Sequence, residues 1–178
     1  MTRPLYIERA LFVVAYRNGG KSTHLRSMFA DSRFHTSGVI PSPAETSKTV
    51  DLSNERHLFI KIMSLHETNR TLKNYFDKIE DKCKSGRWCF AGALRPSPEN
   101  KIKENLGEIV EAFIARFEPE RVRICFLSPD HNDELIDNAI MQLAAIEGIE
   151  CVVIDASSDN AYRLTDNGLF LADFFDFT

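Results

Sequence analysis

The passage from Leu11 to Ser22, LFVVAYRNGGKS, limits more than any other what this chain can fold into. An apolar run, residues 11–15, meets a turn with two consecutive glycines. Residues 21–30 follow, with Leu25, Met28 and Phe29 at i, i+3 and i+4. A compact apolar run fits a strand covered on both faces, and the second spacing fits a helix with one apolar face. Strand, tight turn and helix in that order point to a parallel sheet with helices packed against it.

The alternation continues along the chain. Strands are expected at 58–63 (LFIKIM), 88–94 (WCFAGAL), 122–127 (VRICFL) and 151–154 (CVVI). Helices are expected at 69–82, 102–117 and 133–147, the last stopped by Gly148. Residues 31–57 are polar and turn-rich, a long loop or lid with at most a short strand at 49–52. The aromatic tail GLFLADFFDFT, with Phe170, Phe174, Phe175 and Phe177, is expected to dock onto the body or to offer a partner surface. The expected fold is α/β, a mainly parallel five-stranded sheet with helices on both faces, in one domain spanning 1–178.

Charge and composition exclude several classes. A hydrophobic fraction of 43% excludes wholesale disorder. A net charge of -4 argues against a broad nucleic-acid platform, so no nucleic-acid partner is expected. The longest apolar stretch near the N-terminus, residues 10–16, is too short to span a membrane, and no small-residue cleavage site follows it. A cytoplasmic protein without a membrane partner is expected. Cys83, Cys89, Cys125 and Cys151 have neither CxxC nor zinc spacing and read as buried reduced thiols.

The Gly-rich turn carries chemistry. Gly19 and Gly20 let the backbone curl so that N–H groups converge on an anion, and the following helix offers its N-terminus to the same place. Lys21 reaches β- and γ-phosphates, and Ser22 places a hydroxyl on Mg²⁺. Ala15, Tyr16, Arg17, Asn18, Gly19, Gly20, Lys21, Ser22 and Thr23 are the expected binding segment. The segment AYRNGGKS resembles the Walker A motif of the P-loop NTPase superfamily, departing from it only where Ala15 replaces the first glycine. The resemblance implies a three-layer P-loop fold and a nucleoside triphosphate ligand, ATP or GTP, with Mg²⁺.

P-loop catalysis usually adds an acid at the end of a neighbouring strand. After LFIKIM the chain has Ser64, and the first acid is Glu67, next to His66. Glu67 reads either as base or indirect metal ligand, or as the opening of a helix. Asp130 reads as a helix cap and Asp155 as a loop residue, and each also ends a strand-like run. WCFAGALRP faintly resembles the apolar-Asp-Gly-x-Pro-Arg segment of nucleoside monophosphate kinases, with Ala91 in place of the Asp. Arg95 then grips a phosphate, and Arg17 and Arg70 are further candidates for charge stabilisation. The catalytic expectation is Lys21, Glu67 and Arg95, with Ser22 on the metal. YRNGGKSTHL is also similar to the phosphosulfate loop of sulfotransferases, although no Arg accompanies the later Ser128-Pro129-Asp130. Three functions follow: a small phosphotransferase, kinase or ATPase; a nucleotide-binding regulatory module with little turnover; or a sulfotransferase-like enzyme using a 3′-phosphoadenosine donor.

Overall fold

A computed structural model of the protein describes residues 5–84, 86–98, 101–157 and 161–177. The end of the expected polar turn after Asp155 and the last residue of the aromatic tail lie outside the described residues. The strands are β1 (Tyr6–Val14), β2 (Ser47–Asp51), β3 (Arg56–Lys61), β4 (Arg87–Leu94), β5 (Arg121–Leu127) and β6 (Ile149–Ile154). The helices are α1 (Lys21–Ser27), α2 (Leu72–Lys82), α3 (Leu106–Phe117), α4 (Asp137–Ala144) and α5 (Ala161–Phe175). The strands form one sheet in the order β2-β3-β4-β1-β5-β6. None of the described helices is long and apolar enough to cross a membrane.

The sheet is mixed and six-stranded, which corrects the expected five-stranded one. The sixth strand, β2, overlaps the short strand expected at 49–52 and runs antiparallel to β3 at the sheet edge, while the other neighbours are parallel. Its sequence, SKTVD, has a single buried side chain, Val50, so it carries almost no apolar signal. Segment 31–57 therefore holds a 3-10 turn (Ser32–Phe34) and a hairpin strand.

The direction of each crossover decides which face its helix covers. The chain moves one way across the sheet from β3 to β4, from β4 past β1 to β5, and on to β6. Right-handed connections place α2, α3 and α4 on one face. There Leu72, Phe76, Ile109, Phe113 and Leu143 pack with Phe12 and Phe90 of the sheet. The Phe12 and Phe113 rings meet edge to face at 5.1 Å and 89°. The connection leaving β1 runs the opposite way, so α1 covers the other face.

The aromatic tail docks onto the body, most of it as the end of helix α5. Leu171, Ala172 and Phe175 of α5 share the second core with Leu25 and Met28 of α1 and its 3-10 extension. Phe177 packs on Phe34 at 4.4 Å between centroids, while Phe170 stays 44% exposed. Cys83, Cys89 and Cys125 are buried, but Cys151 is exposed, contrary to expectation, because β6 is an edge strand.

Close approach of α5 to α1 depends on Gly168. A Cβ there would lie 2.5 Å from the Ser27 carbonyl oxygen. In an open helix Gly→Ala gains up to about 1 kcal/mol. Here Gly168→Ala is expected to reverse that sign and lower stability by about 1–3 kcal/mol through overpacking, read by denaturant unfolding.

Candidate functional site

Strand β1 ends at the centre of the sheet, where Ala15 N–H still donates to the Leu94 carbonyl at 3.4 Å. The chain then turns sharply. Asn18 (φ 60°) and Gly20 (φ 88°) take left-handed conformations, and Gly19 N–H donates to the Tyr16 carbonyl at 3.2 Å. Such a conformation suits Gly and Asn and strains other side chains. Helix α1 starts immediately afterwards.

Lys21 folds back into this turn. Its Nζ donates to the carbonyls of Ala15 (3.0 Å) and Tyr16 (2.5 Å), and the residue is only 4% exposed. Burial lowers its pKa to about 8, with Arg95 acting in the same direction and Glu67 and Asp130 opposing it. Ser22 Oγ donates to the Ile62 carbonyl at 3.0 Å, which ties α1 to the end of β3. Residues 18–23 line a cavity of about 320 Å³ together with Glu67 and His131.

Two expected residues meet Lys21 here. Glu67 closes a 3-10 turn (Leu65–Glu67) after β3, and Arg95 follows β4 directly. Arg95 Nη2 donates to Glu67 Oε1 at 2.8 Å, with the arginine side chain 6% exposed and the carboxylate 35%. Arg95 also lines a second cavity of about 360 Å³ beside the first, with Tyr16, Arg17, Ser97 and Glu134. His66 turns inward instead, with Nδ1 at 3.4 Å from Ser64 Oγ. Burial, then Arg95 and Lys21, push its pKa down to about 4, so the ring is neutral at pH 7.

Asp130 is not a helix cap, since α4 starts only at Asp137. It is fully buried and organises its own loop. Its Oδ1 accepts from the N–H groups of Asn132 (2.8 Å) and Glu134 (3.1 Å). Its Oδ2 has no hydrogen-bond partner among the described residues and presses on Gly19, where a Cβ would lie 2.3 Å away. The same loop clamps the turn twice more: His131 N–H donates to the Gly19 carbonyl at 3.3 Å and Asn132 Nδ2 to the Arg17 carbonyl at 3.1 Å.

A third support comes from the C-terminal helix. His24 Nδ1–H donates to the Gly20 carbonyl at 2.9 Å, and Nε2 accepts from Asn167 Nδ2 at 3.2 Å. Asn167 also reaches the Asp155 carbonyl at 3.3 Å. Asp155 itself is exposed and holds Ser157 and Arg163, a loop role. Sequence patterns give no sign of the Asp130 contact with Gly19 or the His24 contact with Asn167, because both join segments far apart in the chain. Arg17 is exposed at the rim of the second cavity, whereas Arg70 lies before α2 and lines neither cavity.

Among the described residues, no group of three or more His, Cys, Asp or Glu side chains could hold a metal ion. Mg²⁺ needs fewer protein ligands, because it keeps several waters and takes phosphate oxygens from its substrate. The Ser22 hydroxyl and the Glu67 carboxylate line one cavity and suit that mode. No family model, curated protein or solved structure matches the chain.

Gly19 is held to its size by Asp130 and by Ala15, whose Cβ would lie 2.8 Å from an added one. Gly19→Ala is expected to destabilise the protein by about 1–3 kcal/mol. Asp130→Ala in the same chain is expected to recover part of that loss, a coupling that a double-mutant unfolding cycle measures.

Proposed function

We propose that the turn of residues 15–23 binds a nucleoside triphosphate, ATP or GTP, with Mg²⁺, and that the protein is a small P-loop phosphotransferase or NTPase. One observation carries the reading: Lys21, Ser22 and Glu67 line one cavity, and Arg95, which lines the second cavity, donates to Glu67 at 2.8 Å. The connections leaving β1 and its neighbour β4 go to opposite faces, and open α/β sheets bind ligands outside such a switch point. A kinase-like or P-loop fold is part of this proposal, supported by AYRNGGKS between the central strand and α1.

The roles follow from the groups. Lys21 is held against two carbonyls and exchanges them for the β- and γ-phosphate oxygens. That exchange gives the buried ammonium a full counter-charge and raises its pKa. Backbone N–H groups of the turn hold the remaining phosphate oxygens. Arg95, oriented by Glu67, stabilises the charge on the transferred group and opens onto the second cavity, where an acceptor sits. Ser22 and Glu67 would hold a Mg²⁺ ion that supplies charge neutralisation to the phosphates. The nucleotide-binding module with little turnover remains the second reading, favoured by one fact: Glu67 is already engaged by Arg95.

Calorimetric titration with ATP, GTP and 3′-phosphoadenosine 5′-phosphate, each with and without Mg²⁺, tests the proposal. Mg²⁺-dependent binding of ATP or GTP is expected, weakened at least about tenfold by Lys21→Ala. Affinity is expected to fall as pH rises through about 8, since the free protein loses the Lys21 proton there and binding must restore it. Absence of binding by all three nucleotides contradicts the proposal. ATP or GTP hydrolysis or transfer then separates the enzyme from the module.

A further inference from the structure

On the opposite face of the sheet from α1, the groove between α2 and the β2–β3 hairpin holds a lysine with no role in the triphosphate site. Lys61 ends β3 and is 8% exposed. Among the described residues it has neither a hydrogen-bond acceptor nor a carboxylate partner. Its ammonium sits 5.9 Å from the centroid of the Tyr75 ring. The stem is largely buried while the ammonium faces the groove, and a cation–π contact supplies it no counter-charge. Burial and the nearby Arg70 both lower the Lys61 pKa, as expected of a cation lacking a counter-charge.

The groove around it is basic. Lys61, Lys78, Lys82 and Lys84 line a cavity of about 430 Å³, against one acid, Asp81, with Phe59 as an apolar wall. This local charge stands out in a chain of net charge -4. The volume lies in the range of small-molecule sites, which are mostly apolar with a few convergent polar groups. Several ammonium groups against one carboxylate call for more than one negative charge, which a phosphate monoester carries and a single carboxylate does not. Lysines act as point charges on phosphate and need no bidentate geometry.

We propose that this groove binds the phosphate group of a small phosphorylated molecule, with Lys61 at its inner end, Lys78 and Lys82 on the α2 side, and Phe59 against the apolar part of the ligand. The site shares no residue with the turn of 15–23 and does not rest on the triphosphate reading.

The test uses the full chain carrying Lys21→Ala, so that the turn does not contribute, and inorganic pyrophosphate as the probe. Calorimetry is expected to show one equivalent bound, with an affinity that weakens as salt rises. Lys61→Met keeps the length of the stem without the charge and is expected to weaken binding at least about tenfold, while Lys61→Arg stays within about threefold. Thermal unfolding without pyrophosphate is expected to be unchanged or raised by Lys61→Met. If Lys61→Met unfolds the chain, Lys78→Met, on the exposed side of α2, takes its place and must weaken binding as well. Pyrophosphate that fails to bind the Lys21→Ala protein, or that binds equally well after the charge is removed, overturns the proposal.

Discussion

Strand β1 has no free edge along most of its length: β4 runs in parallel register on one side and β5 on the other. Nor has it a free face, since Phe12 and Val14 enter one core while Leu11 and Val13 enter the other. A strand so enclosed leaves the sheet only at its carboxyl end. The chain must reverse there in very few residues, which Asn18 and Gly20 do in left-handed conformations. The position of the turn, the start of α1 and the burial of Lys21 all follow from that enclosure.

The turn is braced from three sides. Asp130 and its loop press from the end of β5, Ser22 ties α1 to the end of β3, and His24 joins the turn to α5. Charge inside the brace is balanced rather than neutral. Lys21 and Arg95 repel, and Glu67 and Asp130 attract Lys21 without forming an ion pair with it. Its ammonium instead takes two backbone carbonyls, a weak substitute for an anion. A rigid frame around a poorly compensated cation is suited to an anionic ligand, because little reorganisation accompanies binding.

Much of this was legible in the residues. The apolar runs of β3, β4 and β5 mark strands because both faces are buried, and Leu72, Tyr75, Phe76 and Ile79 mark α2 because one helical face is. The turn segment and the acid and cation that join it, Glu67 and Arg95, follow strands in sequence. One element was only hinted at and one was hidden. The short strand expected at 49–52 is β2 (Ser47–Asp51), a polar edge strand held by backbone pairing to β3, so periodicity marked it faintly. α5 contains Asp166, Asn167 and Gly168, weak helix formers, and Gly168 is there for contact with Ser27 rather than for a turn. The supports of the site, Asp130 and His24, were invisible as supports because tertiary contact rather than local spacing defines them. Cys151 reads as buried in CVVI, yet its strand has a neighbour on one side only.

Lys21 is a buried ammonium compensated only by two carbonyls, and the proposed triphosphate site requires it to gain a phosphate counter-charge. NMR titration of the protein labelled at the lysine side chains, with Lys21 assigned through Lys21→Arg, reads its ionisation directly. The account predicts a midpoint near pH 8 in the free protein, moving upward when ATP and Mg²⁺ are added. An ordinary lysine midpoint of about 10.4, unmoved by the nucleotide, would contradict it.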